Sequence, residues 1–436
     1  MKPGKGAISI LGGRLIDPAN KLDRVTDLHI DAGKILAIGE APEGFEPELT
    51  IDAGGQLVCP GLIDLCANLR EPGAEYKATI ASETAAAASG GITTLCCPPD
   101  TRPVIDTPAV TGQIRHKSRK AGFCRLLPQG ALTRSLDGEH LSEMAALKEA
   151  GCIAVSNAYI PLANTQVERR AMEYAATFGL LTIIRPEDQA LGNGGCAHEG
   201  KVADRLGLPS IPEAAETVAV ARDLALAETT GAVIHFHALS SASAARTMAW
   251  AKREGRRVSA DVAIHQLHLT ETDLEGFDSL YHVRPPLRTD SDRDGLREAV
   301  AKNVIEAITS DHQPHEADAK SAPFPDTEPG ISGLETLLPL TLKLVEQRVM
   351  DLSSAIARLT CGPASILGLP LGTLTPGVTA DVCIYDPEQR WFVDADKLLS
   401  GGRNTPFQGW EMPGKVTHTL LRGRLVYRLN PPVEES

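Results

Sequence analysis

Between residues 57 and 347 the chain alternates short apolar runs with Ala-rich stretches of helical periodicity, and it does so eight times. The apolar runs fall at 57–65, 92–97, 124–127, 152–156, 181–184, 232–236, 258–263 and 305–309. The helical stretches fall at 80–89, 109–120, 143–149, 167–177, 211–228, 242–253, 292–302 and 333–347. A strand that is apolar along its whole length must be covered on both faces, and helical crossovers between parallel strands supply that cover. Eight such units in succession predict an α/β fold, a closed (β/α)8 barrel of the TIM type.

The ends of the chain read differently. Residues 7–11, 26–30 and 35–38 are short strand-like runs set between Gly, Asn, Asp and Pro turns, and 381–385, 416–421 and 424–427 repeat that texture. Strand-rich ends flanking a barrel predict one small composite β-sandwich domain. It is expected from 1–55 together with 365–436, with the barrel over 56–364. A chain of 436 residues is long enough for both.

Charge and apolar length narrow the partners. With 43 Lys+Arg against 56 Asp+Glu the formal net charge is −13, a poor match for nucleic acid or an anionic membrane. The longest apolar runs, 57–62 and 337–342, fall far short of the roughly 20 residues that span a bilayer. Residues 1–6 contain no apolar segment of a signal peptide. Nine cysteines, an odd number spread over a large chain, read as buried thiols in a reducing compartment, so a cytoplasmic protein is expected.

Barrel enzymes carry their chemistry at the C-terminal ends of the strands. Those ends read Asp64-Leu65-Cys66-Ala67-Asn68-Leu69-Arg70, Pro98-Pro99-Asp100, Ser156-Asn157, Arg185-Pro186-Glu187-Asp188, His235-Phe236-His237 and Ser310-Asp311-His312-Gln313-Pro314-His315. Polar and ionisable side chains gather where an active site would stand.

These segments carry a resemblance. Arg70-Glu71-Pro72-Gly73, Pro186-Glu187-Asp188, His237-Ala238-Leu239-Ser240, Pro285-Pro286-Leu287-Arg288, Asp311-His312-Gln313-Pro314-His315 and Gly330-Ile331-Ser332-Gly333-Leu334-Glu335-Thr336 resemble dihydroorotase of the metal-dependent amidohydrolase superfamily. Pro363-Ala364 and Asn404-Thr405-Pro406-Phe407 fit too, so the likeness runs in order along essentially the whole chain. It implies a barrel that opens or closes the cyclic amide of dihydroorotate, with zinc activating a bridging water through imidazole and carboxylate ligands.

The ligand positions depart from that pattern. Where the family has Asp-x-His-x-His after strand one, this chain has Asp64-Leu65-Cys66-Ala67-Asn68. Asn157 aligns with a strand-four aspartate, and Arg185 replaces the histidine of a His-x-Glu-Asp segment. Only His237 and Asp311 match the family's ligands, so four of six positions are lost. Arg185 is a permanent cation that cannot become a ligand. At an effective dielectric of about 20, two unit charges 4 Å apart repel by about 4 kcal/mol, and a dication doubles that. Asn68 offers only an amide oxygen, a poor zinc donor. The substrate positions change as well. Arg70 is kept and can meet a carboxylate bidentately, whereas Asp100 and Arg284 stand where the family has asparagines. His315 belongs to the same vestigial shell.

The expectation is therefore a non-catalytic homologue with no bound cofactor, where active relatives use zinc. Asp311 is expected to pair with Arg185 inside the old cavity, neutralising both. Cys66 is expected to be an inert buried thiol, and His237 a rim histidine with one hydrogen-bonded nitrogen. Glu187, His312 and His315 are read as packing elements, and His265 and His268 as rim residues rather than a metal pair. The resemblance also implies an oligomer and a partner. Degenerate members of this family accompany the aspartate transcarbamoylase catalytic chain, the preceding enzyme of pyrimidine synthesis, and hold it in an active assembly. The alternative is a hydrolase with one metal held by Cys66, His237, Asp311 and Asp100.

Overall fold

The structure is a computed structural model; residues 4 and 6–430 are described. The N-terminal reading over 1–6 lies largely outside the described residues, as does the end of the predicted small domain at 431–436.

Eight parallel strands follow one another round a barrel, each hydrogen-bonded to the next. They are Leu62–Asp64, Ile92–Cys97, Arg125–Ala131, Ala154–Ser156, Leu181–Ile184, Ile234–Phe236, Val258–Ala263 and Ala307–Thr309. All eight predicted runs thus enter the barrel, and the fold is the (β/α)8 type expected. Their side chains are buried almost without exception, as a sheet covered on both faces requires. The first and eighth strands share no ladder. Asp64 closes that seam: its carboxylate takes the hydroxyls of Thr309 and Ser310 and, at 3.1 Å, the amide of Ser310. Just beyond, a parallel bridge joins Ala67 to His312.

The helices start where polar caps satisfy their free amides. Thr79 caps Ile80–Ser89 through the Ser82 amide at 3.1 Å, and Ser241 caps Ala242–Arg253 through Ala244 at 3.1 Å. The helix expected over 211–228 begins later, at Ala214, because Pro212 shapes the turn before it. Two short helices, Gln189–Gly192 and Lys201–Leu206, and a small strand pair fill the stretch ahead of it.

A second sheet gathers strands from both ends of the chain. Ile8–Asp17, Leu22–Asp31, Lys34–Ile38, Leu49–Asp52 and Leu57–Pro60 join Val382–Phe392, Glu411–Leu421 and Arg424–Arg428. One predicted element is corrected here. The run at 57–65 is not one strand: Leu57–Pro60 belongs to the small sheet and Leu62–Asp64 to the barrel. The chain changes sheets at Gly61, where a Cβ would stand 2.3 Å from Thr93 Cγ2, so no larger residue fits the crossing. Arg125 of the barrel ties the two units by pairing with Asp381 at 2.8 Å.

All nine cysteines are free, eight of them buried and Cys361 half-buried. No helix among the described residues is long and apolar enough to cross a membrane.

Candidate functional site

The predicted site residues converge at the C-terminal mouth of the barrel, and at its centre stands a residue that the sequence did not single out. Tyr159 lies in the loop after the fourth strand, which Asn157 and a left-handed Ala158 (φ 50°) turn back over the barrel. Asn157 accepts from Thr133 Oγ1 at 3.1 Å and donates to the carbonyl of Ile160. It braces the loop and does not face the centre. The Tyr159 hydroxyl donates to Asp311 at 2.7 Å and lies 3.3 Å from Asn68 Oδ1 and 3.2 Å from Cys66 Sγ. Burial, with Asp311 alongside, raises its pKa, so the hydroxyl keeps its proton and acts as a donor.

Arg185 lies beneath the same ring. Its guanidinium carbon is 5.1 Å from the Tyr159 centroid. It donates to the carbonyls of Tyr159 at 2.9 Å and Arg284 at 3.0 Å, and pairs with Glu187 at 3.1 Å. This corrects the expected Arg185–Asp311 ion pair. Residues two apart on an extended segment point the same way, so Glu187 meets the cation directly. Arg284 also binds Glu187, through Nε at 3.0 Å and through Nη2, and two cations therefore share one buried carboxylate. Burial pulls the Glu187 pKa up, but Arg284 and Arg185 outweigh it and hold the group ionised.

His237 and Asp311 face one another across the barrel, with Nε2 3.5 Å from Oδ1. His237 Nδ1 is held at 3.0 Å by Asp261, a seventh-strand carboxylate that also takes His235 Nε2 at 2.9 Å and the Ala238 amide at 2.7 Å. Burial lowers the His237 pKa and Asp261 raises it; the carboxylate wins, and the pair is ionic. Asp261 was legible as the one acid within an apolar strand. Burial raises the Cys66 thiol above its ordinary pKa, which fits the inert reading.

Above this network lies a cavity of about 360 Å3 walled by Arg70, Lys77, Asp100 and Tyr159. Arg70 is occupied by the Pro314 carbonyl at 3.0 Å and His315 at 3.1 Å, and Lys77 binds Glu328 at 2.7 Å. Asp100 accepts from Asn68 at 2.8 Å, and its burial raises its pKa. His312 is tied to Glu83 at 2.7 Å and His268 to the Leu340 carbonyl at 2.9 Å, so both are structural. His265 is buried close to the site with neither ring nitrogen bonded, and burial lowers its pKa to about 4.

The donor set does not fit a pair of zinc ions. Asn68 is spent on Asp100, Asn157 on its own loop, and the Arg185 cation stands beside the remaining ligands. Cys66, His237 and Asp311 do come together, with one donor atom of each within 4.8 Å of the others. Asp100, the fourth ligand of the alternative reading, is not part of that group.

Residues 55–244 match the family model "Dihydro-orotase-like", and residues 189–426 match "Amidohydrolase family". A dihydroorotase-like protein of Pseudomonas aeruginosa is 52% identical over 420 residues, spanning 96% of this chain and 99% of that protein. The chain belongs to the dihydroorotase-like amidohydrolases. A dihydroorotase of Geobacter metallireducens is 44% identical over 422 residues, covering 96% of this chain and 99% of its own. The fold is also that of an L-hydantoinase (dihydropyrimidinase) from Arthrobacter aurescens. Its TM-score is 0.87 at 24% identity, over 98% of this chain and 96% of the other.

Proposed function

We propose that this chain is a non-catalytic dihydroorotase homologue of pyrimidine synthesis. Its role is that of a structural or regulatory subunit bound to the aspartate transcarbamoylase catalytic chain. One observation carries the loss of catalysis. Beside the positions where the resemblance would put the metal ligands, the Tyr159 hydroxyl donates to Asp311, and the Arg185 guanidinium bonds Glu187 and the Tyr159 carbonyl with only its Nε left unpartnered. A hydrolytic water would need a metal or base at Asp311, and that carboxylate already accepts from Tyr159 and faces the His237 ring at 3.5 Å. With the chemistry gone, what remains to be used is the surface. The partner follows from the family resemblance alone.

The test is co-expression with the aspartate transcarbamoylase catalytic chain of the same organism. A co-purifying complex is expected, with transcarbamoylase activity or stability reduced when this chain is removed. No turnover of dihydroorotate or carbamoyl aspartate is expected from this chain. Separate elution at micromolar concentration, with transcarbamoylase fully active alone, would refute the scaffold role.

A second reading has one specific observation behind it, the convergence of Cys66, His237 and Asp311. A single ion held there would make an atypical cyclic amidohydrolase. Elemental analysis separates the two readings, because the second requires close to one zinc per chain.

A further inference from the structure

The opposite end of the barrel holds a cavity that the family chemistry does not use. It opens at the N-terminal ends of the fifth to eighth strands, against the segment 357–366, and measures about 510 Å3. Arg256, Arg257, Arg358, Glu306, Ser259 and Ser365 are among its walls.

Arg358 is the unusual group. The residue is only 6% exposed, yet among the described residues no carboxylate lies within 4.0 Å of its guanidinium. Among the described residues its one hydrogen bond runs from Nε to the Val300 carbonyl at 3.0 Å, which leaves both Nη atoms without a partner there. Unlike the sealed Nε of Arg185, these atoms are not shut away from solvent, because they reach the cavity. Burial lowers the Arg358 pKa, and the opposing pull of Cys361, Glu306 and Asp351 offsets it only in part. A buried cation without an anion is destabilising, so its retention calls for a counterion.

The surroundings do not supply one. Glu306 is the carboxylate in the wall, but Lys252 and the Ala260 amide occupy it. Arg256 is neutralised by Glu228 at 2.9 Å and stacks 4.9 Å from the Trp250 centroid. Arg257 has no carboxylate partner among the described residues, and its Nη2 donates to the Gly231 carbonyl at 2.7 Å. Two uncompensated guanidinium groups therefore face one concave space in a chain of net charge −13. The planar fork of arginine suits the oxygens of a phosphoryl group, and the serine hydroxyls of the wall are suitable further donors. A cavity of this volume exceeds inorganic phosphate and matches a small phosphorylated metabolite.

We propose that this cavity is an anion site for the phosphoryl group of a small molecule, anchored by Arg358 and Arg257. It is independent of whether the barrel mouth is catalytic.

The experiment is titration calorimetry on the full chain with two probes, inorganic phosphate and adenosine monophosphate. Hydrogen exchange then locates whatever binds. Saturable one-to-one binding is expected, with exchange slowed at 256–259 and 357–366. Arg358→Met keeps the aliphatic packing and should weaken binding at least about tenfold. Arg257→Gln, at an exposed position, should weaken it too and cannot do so by unfolding the chain. If the nucleotide binds at least about tenfold tighter than phosphate, the ligand is a phosphorylated metabolite; equal affinities assign the site to free phosphate. The proposal is overturned if neither probe saturates below about 10 mM, if protection appears only at the barrel mouth, or if both substitutions leave the affinity unchanged.

Discussion

Replacing Tyr159 by Phe removes one oxygen and keeps the ring that stacks on Arg185, so it isolates what the hydroxyl does. The Asp311 carboxylate has one short side-chain hydrogen bond, 2.7 Å from Tyr159. Its remaining side-chain neighbours are Gln313 Nε2 at 3.4 Å from each oxygen and His237 at 3.5 Å. A hydrogen bond to a charged group contributes about 1.5–3 kcal/mol, and a buried acceptor left unsatisfied costs in the same range. The other contacts of the hydroxyl, at 3.2 and 3.3 Å, are long and add little. Tyr159→Phe should therefore cost about 2 kcal/mol, read as the shift in urea midpoint at a shared slope. Tyr76→Phe, at a position 73% exposed, should stay within about 0.5 kcal/mol. If the hydroxyl acts through Asp311, Tyr159→Phe and Asp311→Asn will not add. The double mutant should show a coupling of at least about 1 kcal/mol. A loss below about 0.5 kcal/mol, or strict additivity, would refute the reasoning and show that Tyr159 does not plug the site.

Four further outcomes are expected. Purified protein should carry well under one zinc per chain. Cys66→His with Asn68→His should not create dihydroorotase activity while Arg185 and Tyr159 remain, and adding Arg185→His and Asn157→Asp should restore zinc binding before turnover; activity in the double mutant would show the site misread. Glu168 and Asp223 form a buried acid pair beside Arg222, and burial, with each carboxylate beside the other, raises the Glu168 pKa. The folded state then holds a proton that the unfolded chain releases near pH 4.5, so stability should fall as pH rises from there through neutrality. Glu168→Gln should flatten that slope in urea unfolding across pH 5–9; an unchanged slope would sink the idea. Gly61→Ala should cost about 1–3 kcal/mol in the same assay, because its Cβ would meet Thr93 at 2.3 Å; a neutral result would mean that the crossing is looser than it looks.

Periodicity told the sequence reader about the barrel because it is a local property. A run of apolar residues and the helix after it reveal themselves within about twenty positions, and eight repetitions leave few folds to choose from. The same locality explains the errors. The run at 57–65 is apolar but for Pro60-Gly61 and Asp64. Pro60-Gly61 is a turn signal that the reading of one strand passed over, and the approach of Thr93 shows why glycine stands at the change of sheet.

By itself the sequence determined the fold class and marked both chain ends as rich in short strands, and the resemblance pointed to the residues to compare with the family's ligand positions. It also showed that a cation stands among them. Tertiary structure alone decided whom each of those residues meets. Arg185 turned to Glu187, two residues along, and to the carbonyl of Arg284, 99 residues away, instead of Asp311. Tyr159, in a loop with no motif, reached Asp311 across 152 residues of sequence. Arg358, at the opposite end of the barrel, was left buried with no carboxylate partner among the described residues. The physical reason is closure. A barrel brings eight strand ends to one ring, so charge partners are chosen by distance across that ring, and distance across it is not written in spacing along the chain.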